Sequence, residues 1–142
     1  MLIMGCAVQH HPQKEDGTSI TPLPDRVADY INARNEGNLT AEYKFFSPTY
    51  REAVSLEQFI KSRNVKRVKT TLRDIEYGTE KTVAYVQLST DFFQQDYNLN
   101  GVRTKQTWRL IGSEWYIDAK PASLRDIFTP RKPHSTGKSN EN

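Results

Sequence analysis

The sequence predicts an α+β domain in which helices come first and an antiparallel meander of strands follows. Three observations predict it. Apolar residues recur at three-to-four spacing up to about residue 60, and beyond residue 65 they alternate with a period of two. All fifteen aromatics lie between Tyr30 and Phe128, which confines the core to one region of the 142-residue chain. The helices also precede the strands as a block, which is an α+β order and not that of a parallel sheet with crossover helices. The chain therefore divides into a flexible N-terminal segment, 1–22, a folded domain, 23–128, and a tail, 129–142. The tail, TPRKPHSTGKSNEN, has no apolar side chain beyond proline and is expected to be disordered.

Each element follows from local chemistry. Val27, Tyr30, Ile31 and Arg34 mark one stripe of a helix over 24–36, with Pro24 suited to its first turn. Gly37 supplies the left-handed residue that stops it, and Asn38 can cap the next helix. That helix, 39–46, aligns Leu39, Tyr43 and Phe46 and is ended by Pro48. A third starts at Ser55, with Gln58 at capping-box spacing, and turns Leu56, Phe59 and Ile60 inward. In the first strand Val68, Thr70 and Leu72 share a face, but Ile75 and Tyr77 are out of phase, which predicts a bulge near Arg73-Asp74. The second strand alternates Ala84, Val86, Leu88, Thr90 and Phe92 against polar neighbours. Tyr97 to Gly101 reads as a turn-rich connection. A third strand over 102–111 then faces Thr104, Gln106, Trp108 and Leu110 inward, and Gly112-Ser113 turns the chain into a last strand carrying Trp115 and Ile117. Trp108 and Trp115 should be buried, with Lys105 and Arg109 outside.

Composition narrows the function classes. The formal net charge is +3, part of it carried by Arg131, Lys132 and Lys138 in the tail, too little to imply a nucleic-acid partner. One cysteine excludes an internal disulfide framework and a multi-cysteine zinc site. His10, His11 and His134 all lie outside the aromatic-bearing region, so no metal and no cofactor are expected. No run approaches the ~20 apolar residues of a membrane-spanning helix.

The segment YINARNEGNLTAEYKFFSPTYREAVSLEQF resembles the opening helices of the nuclear transport factor 2-like superfamily. There a short helix, a small-residue break (Gly37-Asn38), a second helix ending near Ser-Pro (Ser47-Pro48) and a helix begun by Ser-x-Glu-x-Phe (Ser55 to Phe59) follow one another. TVAYVQLSTDF and then TWRLIGSEWYID resemble the closing strands, where one tryptophan strand turns at a glycine into another. The resemblance covers nearly all of 23–119. It implies a cystatin-like α+β cone, three N-terminal helices packed on a strongly curved antiparallel sheet, with a pocket at the wide end. The superfamily includes ketosteroid isomerases, dehydratases, polyketide cyclases, transport adaptors and non-catalytic envelope domains, so the fold does not fix the function.

An enzyme of that kind needs a pocket base, with a tyrosine or a protonated acid as donor. Without a histidine, the carboxylates nearest the inner face are Asp74 and Glu76, beside the expected bulge, and a solvated strand end is the simpler account of both. Tyr43, Tyr50, Thr90, Phe92, Gln106 and Trp108 are the expected pocket-lining residues. The cations Lys61, Arg63, Lys66, Arg67, Lys69 and Arg73 have no aromatic between them for base stacking and read as a solvated outer face, balanced by Glu76, Asp91 and Asp118. Ile3-Met4-Gly5-Cys6 resembles a bacterial lipobox, whose small residue precedes a lipidated cysteine. Such a signal has an apolar run of ~7–15 residues before the cleavage site, so this reading puts the true start upstream of Met1.

These readings lead to a non-enzymatic binding or interaction module of the bacterial cell envelope. It would be a small lipoprotein held at the membrane surface through Cys6, its partner a small apolar ligand or a protein, with oligomerisation left open. The alternative is a small cytoplasmic isomerase-, dehydratase- or cyclase-like enzyme using Asp74 or Glu76.

Overall fold

The computed structural model describes residues 19–63, 67–93 and 96–121. Cys6, Lys66, the three histidines and the tail 129–142 lie outside the described residues. The elements are α1 (Leu23–Asn35), α2 (Leu39–Tyr43), α3 (Pro48–Ala53), α4 (Leu56–Ser62), β1 (Arg67–Tyr77), β2 (Val83–Phe93), β3 (Asn98–Ile111) and β4 (Glu114–Ile117). The strands form one antiparallel sheet in the order β1-β2-β3-β4, curved about the helices. No helix among the described residues is long and apolar enough to cross a membrane.

α1 carries proline in its first turn, where a missing N–H breaks no bond, and buries Leu23, Val27, Tyr30 and Ala33. Gly37, at φ +70, reverses the chain, and the Asn38 side chain accepts the Ala41 N–H at 3.0 Å to start α2. α2 stops at Tyr43 and does not reach residue 46. Beyond it the backbone pairs with β4: the Ile117 N–H donates to the Phe45 carbonyl (2.8 Å) and the Ser47 N–H to the Ile117 carbonyl (2.9 Å). This covers the outer edge of β4 and buries both phenylalanine rings. Ser47-Pro48 is also a helix start: the Ser47 hydroxyl accepts the Tyr50 N–H at 3.2 Å and begins α3, so four helices stand where three were expected. The Ser55–Gln58 capping box forms in both directions, at 2.9 and 3.2 Å. Seven residues give α4 only a narrow inward face, so Phe59 is buried while Ile60 is 41% exposed.

The bulge expected near Arg73 is present: Leu72 faces Leu88, and the next pair is Asp74 with Gln87. Ile75 and Tyr77 thereby rejoin the inner row. A second bulge was not anticipated. Thr90 pairs with Val102 but Phe92 pairs with Leu99, so Asn100 and Gly101 together oppose Asp91. Gly101 takes φ +66, and its N–H donates to the Asp91 carboxylate at 2.7 Å. The expected turn over 97–101 is thus largely the first stretch of β3; its asparagines and glycine belong to a bulge. Gly112, at φ +64, makes the two-residue turn into β4.

The core sits between the buried face of α1, with Phe45, Phe46 and Phe59, and the inward residues of β2, β3 and β4. Trp108 is 0% exposed and Trp115 5%, with Lys105 and Arg109 on the outside as expected. The Tyr30 ring meets Trp108 and Phe45 edge-on, each at 5.7 Å. Thr104, expected inward, is exposed; it pairs with Leu88 of β2, but β4 ends opposite Trp108 and leaves the other edge of β3 uncovered at that level. Leu72, beside the first bulge, is likewise 41% exposed.

Candidate functional site

Toward the start of β1, the interior encloses charge. Arg34 lies on the buried stripe of α1, four residues beyond Tyr30, and a guanidinium there requires a counter-charge. Glu42 supplies it from α2 and is itself only 2% exposed. Arg34 Nη1 donates to Glu42 Oε1 at 2.8 Å, and Arg63 Nη2, just past α4, approaches the same oxygen at 3.4 Å. Arg34 Nε donates to Thr70 Oγ1 at 3.1 Å, and the Thr70 and Thr90 hydroxyls meet at 3.1 Å. The Asn35 side chain both accepts the Thr70 N–H (2.6 Å) and donates to its carbonyl (3.0 Å), occupying the free edge of β1. Thr70 therefore faces Thr90 as a non-hydrogen-bonded pair, the geometry that brings opposite side chains closest. The Arg63 guanidinium lies over the Phe59 ring, 4.5 Å from its centroid.

Two cavities flank this cluster. The first, of about 360 Å³, has the charged residues Arg34, Glu42 and Arg63 and the apolar residues Leu39, Val68 and Phe92 in its lining. The second, of about 340 Å³, is bordered by Tyr30, Phe46, Thr104, Gln106 and Asp118. Arg34 and Arg63 belong to both. At the second cavity the Gln106 amide donates to the Tyr30 oxygen (2.9 Å) and accepts the Trp108 indole N–H (3.2 Å). Burial pushes the Tyr30 hydroxyl above its ordinary pKa, an effect that nearby Arg34 partly offsets, so it stays protonated.

Among solved structures, an NTF-2 like protein of unknown function from Shewanella oneidensis superposes over 67% of this chain and 90% of its own, with 17% identity and a TM-score of 0.52. The chain has the nuclear transport factor 2-like fold. A SEC-C motif containing protein from Rhodopseudomonas palustris matches at a TM-score of 0.50 and 11% identity, over 71% of this chain and 75% of that one. No family model and no curated protein matches the sequence.

Within this nuclear transport factor 2-like cone the sequence-predicted residues are dispersed. Asp74 and Glu76 are exposed and pair with Gln87 and Tyr85 on the face away from the helices. The bulge that returns Ile75 and Tyr77 inward is what turns these acids outward, so neither can serve as a base inside the cone. Phe92 lies on the wall of the first cavity and Gln106 on that of the second. The other four line neither cavity. Trp108 is packed, Thr90 bonds Thr70, and Tyr50 stacks on Phe46 at 4.7 Å. The Tyr43 hydroxyl donates to the Val54 carbonyl at 2.6 Å and so ties α2 to the end of α3.

The basic run does not form one surface. Lys61 pairs with Glu57 at 2.7 Å, Arg67 and Lys69 lie on the outer sheet face, and Arg63 turns inward to Glu42. Reading the sequence missed Glu42 and the inward role of Arg63. The available signal was Arg34, a charge on an otherwise apolar helical stripe.

Proposed function

We propose that this domain is a non-enzymatic binding module that admits a small molecule to the cavity beside Arg34, Glu42 and Arg63. The observation that carries this reading is the pairing of Glu42. A general base needs its carboxylate directed at substrate, whereas one oxygen of Glu42 already receives two guanidinium groups. A volume of about 360 Å³ falls in the range of small-molecule sites. Attachment to a bacterial envelope membrane through lipidated Cys6 completes the proposal and rests on the Met4-Gly5-Cys6 pattern.

The site is tested by thermal unfolding of the full chain against a library of small amphipathic compounds. Binders should raise the midpoint of the wild type but not of Val68→Trp, which fills the cavity. A library that shifts neither protein would count against the reading. For the anchor, the gene with its upstream region is expressed and the cells fractionated: wild type should sediment with membranes and Cys6→Ser should not.

One observation favours an enzyme of the isomerase or dehydratase kind. Glu42 Oε2 has no hydrogen-bond partner among the described residues, and the protonated Tyr30 hydroxyl lies on the adjoining cavity. Turnover of an enone or β-hydroxy carbonyl compound that is lost in Glu42→Gln and kept in the Asp74→Asn, Glu76→Gln double variant would establish that reading instead.

A further inference from the structure

We infer that the molecule held in the first cavity is a monoanion, a carboxylate bearing a short apolar tail; this rests on the reading of that cavity as a ligand site. The charges turned inward at its wall are Arg34 and Arg63 against Glu42, an excess of one positive charge, whereas Glu36 and Arg67 are exposed. Glu42 answers the two inner guanidiniums only in part. Arg34 engages Thr70 through Nε and Glu42 through Nη1, which leaves Nη2 without an acceptor among the described residues. Arg63 reaches Glu42 through Nη2 alone, and its Nε is buried without a partner among the described residues. Two planar donor groups short of acceptors on the wall of one cavity form a receptor for an oxyanion, which can bridge them.

Charge decides the class of anion. A carboxylate cancels the single surplus charge, whereas a phosphate dianion would leave negative charge in a partly desolvated place beside Glu42. The tail follows from the apolar lining. Leu39, Val68 and Phe92 line the same cavity, and Phe92 is held between Val68 on β1 and Leu99 on β3 by the sheet register. The second bulge sets that register, because it places Leu99 across from Phe92 where an unbroken ladder would place Asn100.

Calorimetric titration of the full chain with octanoate, octanol, octylamine and octyl phosphate tests the inference. Octanoate should bind roughly tenfold or more tightly than octanol, as a charge-assisted head group implies. Octylamine should not bind, and octyl phosphate should bind more weakly than octanoate. Rising salt should weaken octanoate and leave octanol unchanged. Arg63→Gln should lower octanoate affinity about tenfold without altering octanol. Arg63→Lys, which keeps the charge but not the fork, should fall between. Equal binding of octanol and octanoate, or an octanoate affinity indifferent to both salt and Arg63→Gln, would overturn the anionic head and leave the cavity as an apolar site. Tightest binding by octyl phosphate would overturn the carboxylate. Absence of binding by every alkyl probe, with no difference between wild type and Val68→Trp, would bring down the cavity reading itself.

Discussion

Around Trp108 the interior is apolar, with aromatic edges in contact and a short relay from indole to Gln106 to Tyr30; around Glu42 the same helix and sheet enclose three charges and two cavities. The two regions are adjacent on α1, since Tyr30 serves the first and Arg34, one turn on, the second. Their energetics differ in kind. Burying apolar area stabilises in rough proportion to the area removed from water. Buried ion pairs return much of their attraction as desolvation, so they add little net stability, although breaking one is costly. Stability is therefore concentrated at the Trp108 end, and the Glu42 end is where selectivity can reside.

The largest effect is expected at the first end. Trp108→Ala removes the fully buried ring against Tyr30 and should cost about 3–5 kcal/mol by chemical denaturation. Lys105→Ala, on the outer face, should stay within ~0.5 kcal/mol. A loss below about 1 kcal/mol at Trp108 would mean that the end assigned to packing is loosely packed.

At the other end, Glu42→Ala leaves Arg34 buried without its carboxylate and should cost about 3 kcal/mol. Replacing the pair together, as Arg34→Met with Glu42→Leu, should recover most of that loss, because shape-matched apolar residues can replace a buried pair at little cost. Octanoate binding should not recover with it. If the double variant is no more stable than the single one, the network has a packing role that the comparison denies it.

The contrast between the ends also explains what the sequence could disclose. The Trp108 end rests on period: clean alternation along β2 and around Trp108 and Trp115 can be read one strand at a time, and so could the break in phase at Arg73. Period alone did not say which side the acids would take, since that depends on where the extra residue of β1 falls against β2. The Glu42 end rests on contacts made after the chain has turned. Phe46 leaves its helix because Ile117, far along the chain, offers a backbone partner. Ser47-Pro48 carries both a stop and a start, and a six-residue helix has too little period to separate them. Glu42 and Arg34 are eight residues apart, but Gly37 lies between them, so no helical spacing links the two. Arg63 sits in a run of cations whose commonest fate is solvent, and only the Phe59 ring beneath it and Glu42 beyond it turn it inward.

The smallest predicted effect lies at the boundary between the two ends, on Tyr30. Its hydroxyl pKa is raised above the ordinary value chiefly by burial. Below pH about 10 both folded and unfolded chains hold the proton, so the stability that goes with the raised value is fully present. As pH rises past that point the unfolded chain releases its proton first. The native state then binds more protons than the unfolded one, and stability falls until the folded hydroxyl also ionises. Tyr30→Phe removes this titration but also the hydrogen bond from Gln106, at a cost of about 0.5–1.5 kcal/mol near neutral pH. Wild type should therefore be the more stable protein at pH 8, and its advantage should shrink or reverse by about pH 11. Tyr50 and Tyr116, also raised, titrate in both proteins and cancel in the difference. Urea midpoints of the two proteins at each pH measure it. A difference that stays constant with pH would mean that the Tyr30 hydroxyl is solvated through the second cavity, and the boundary between packed core and ligand site would then move one turn toward the start of α1.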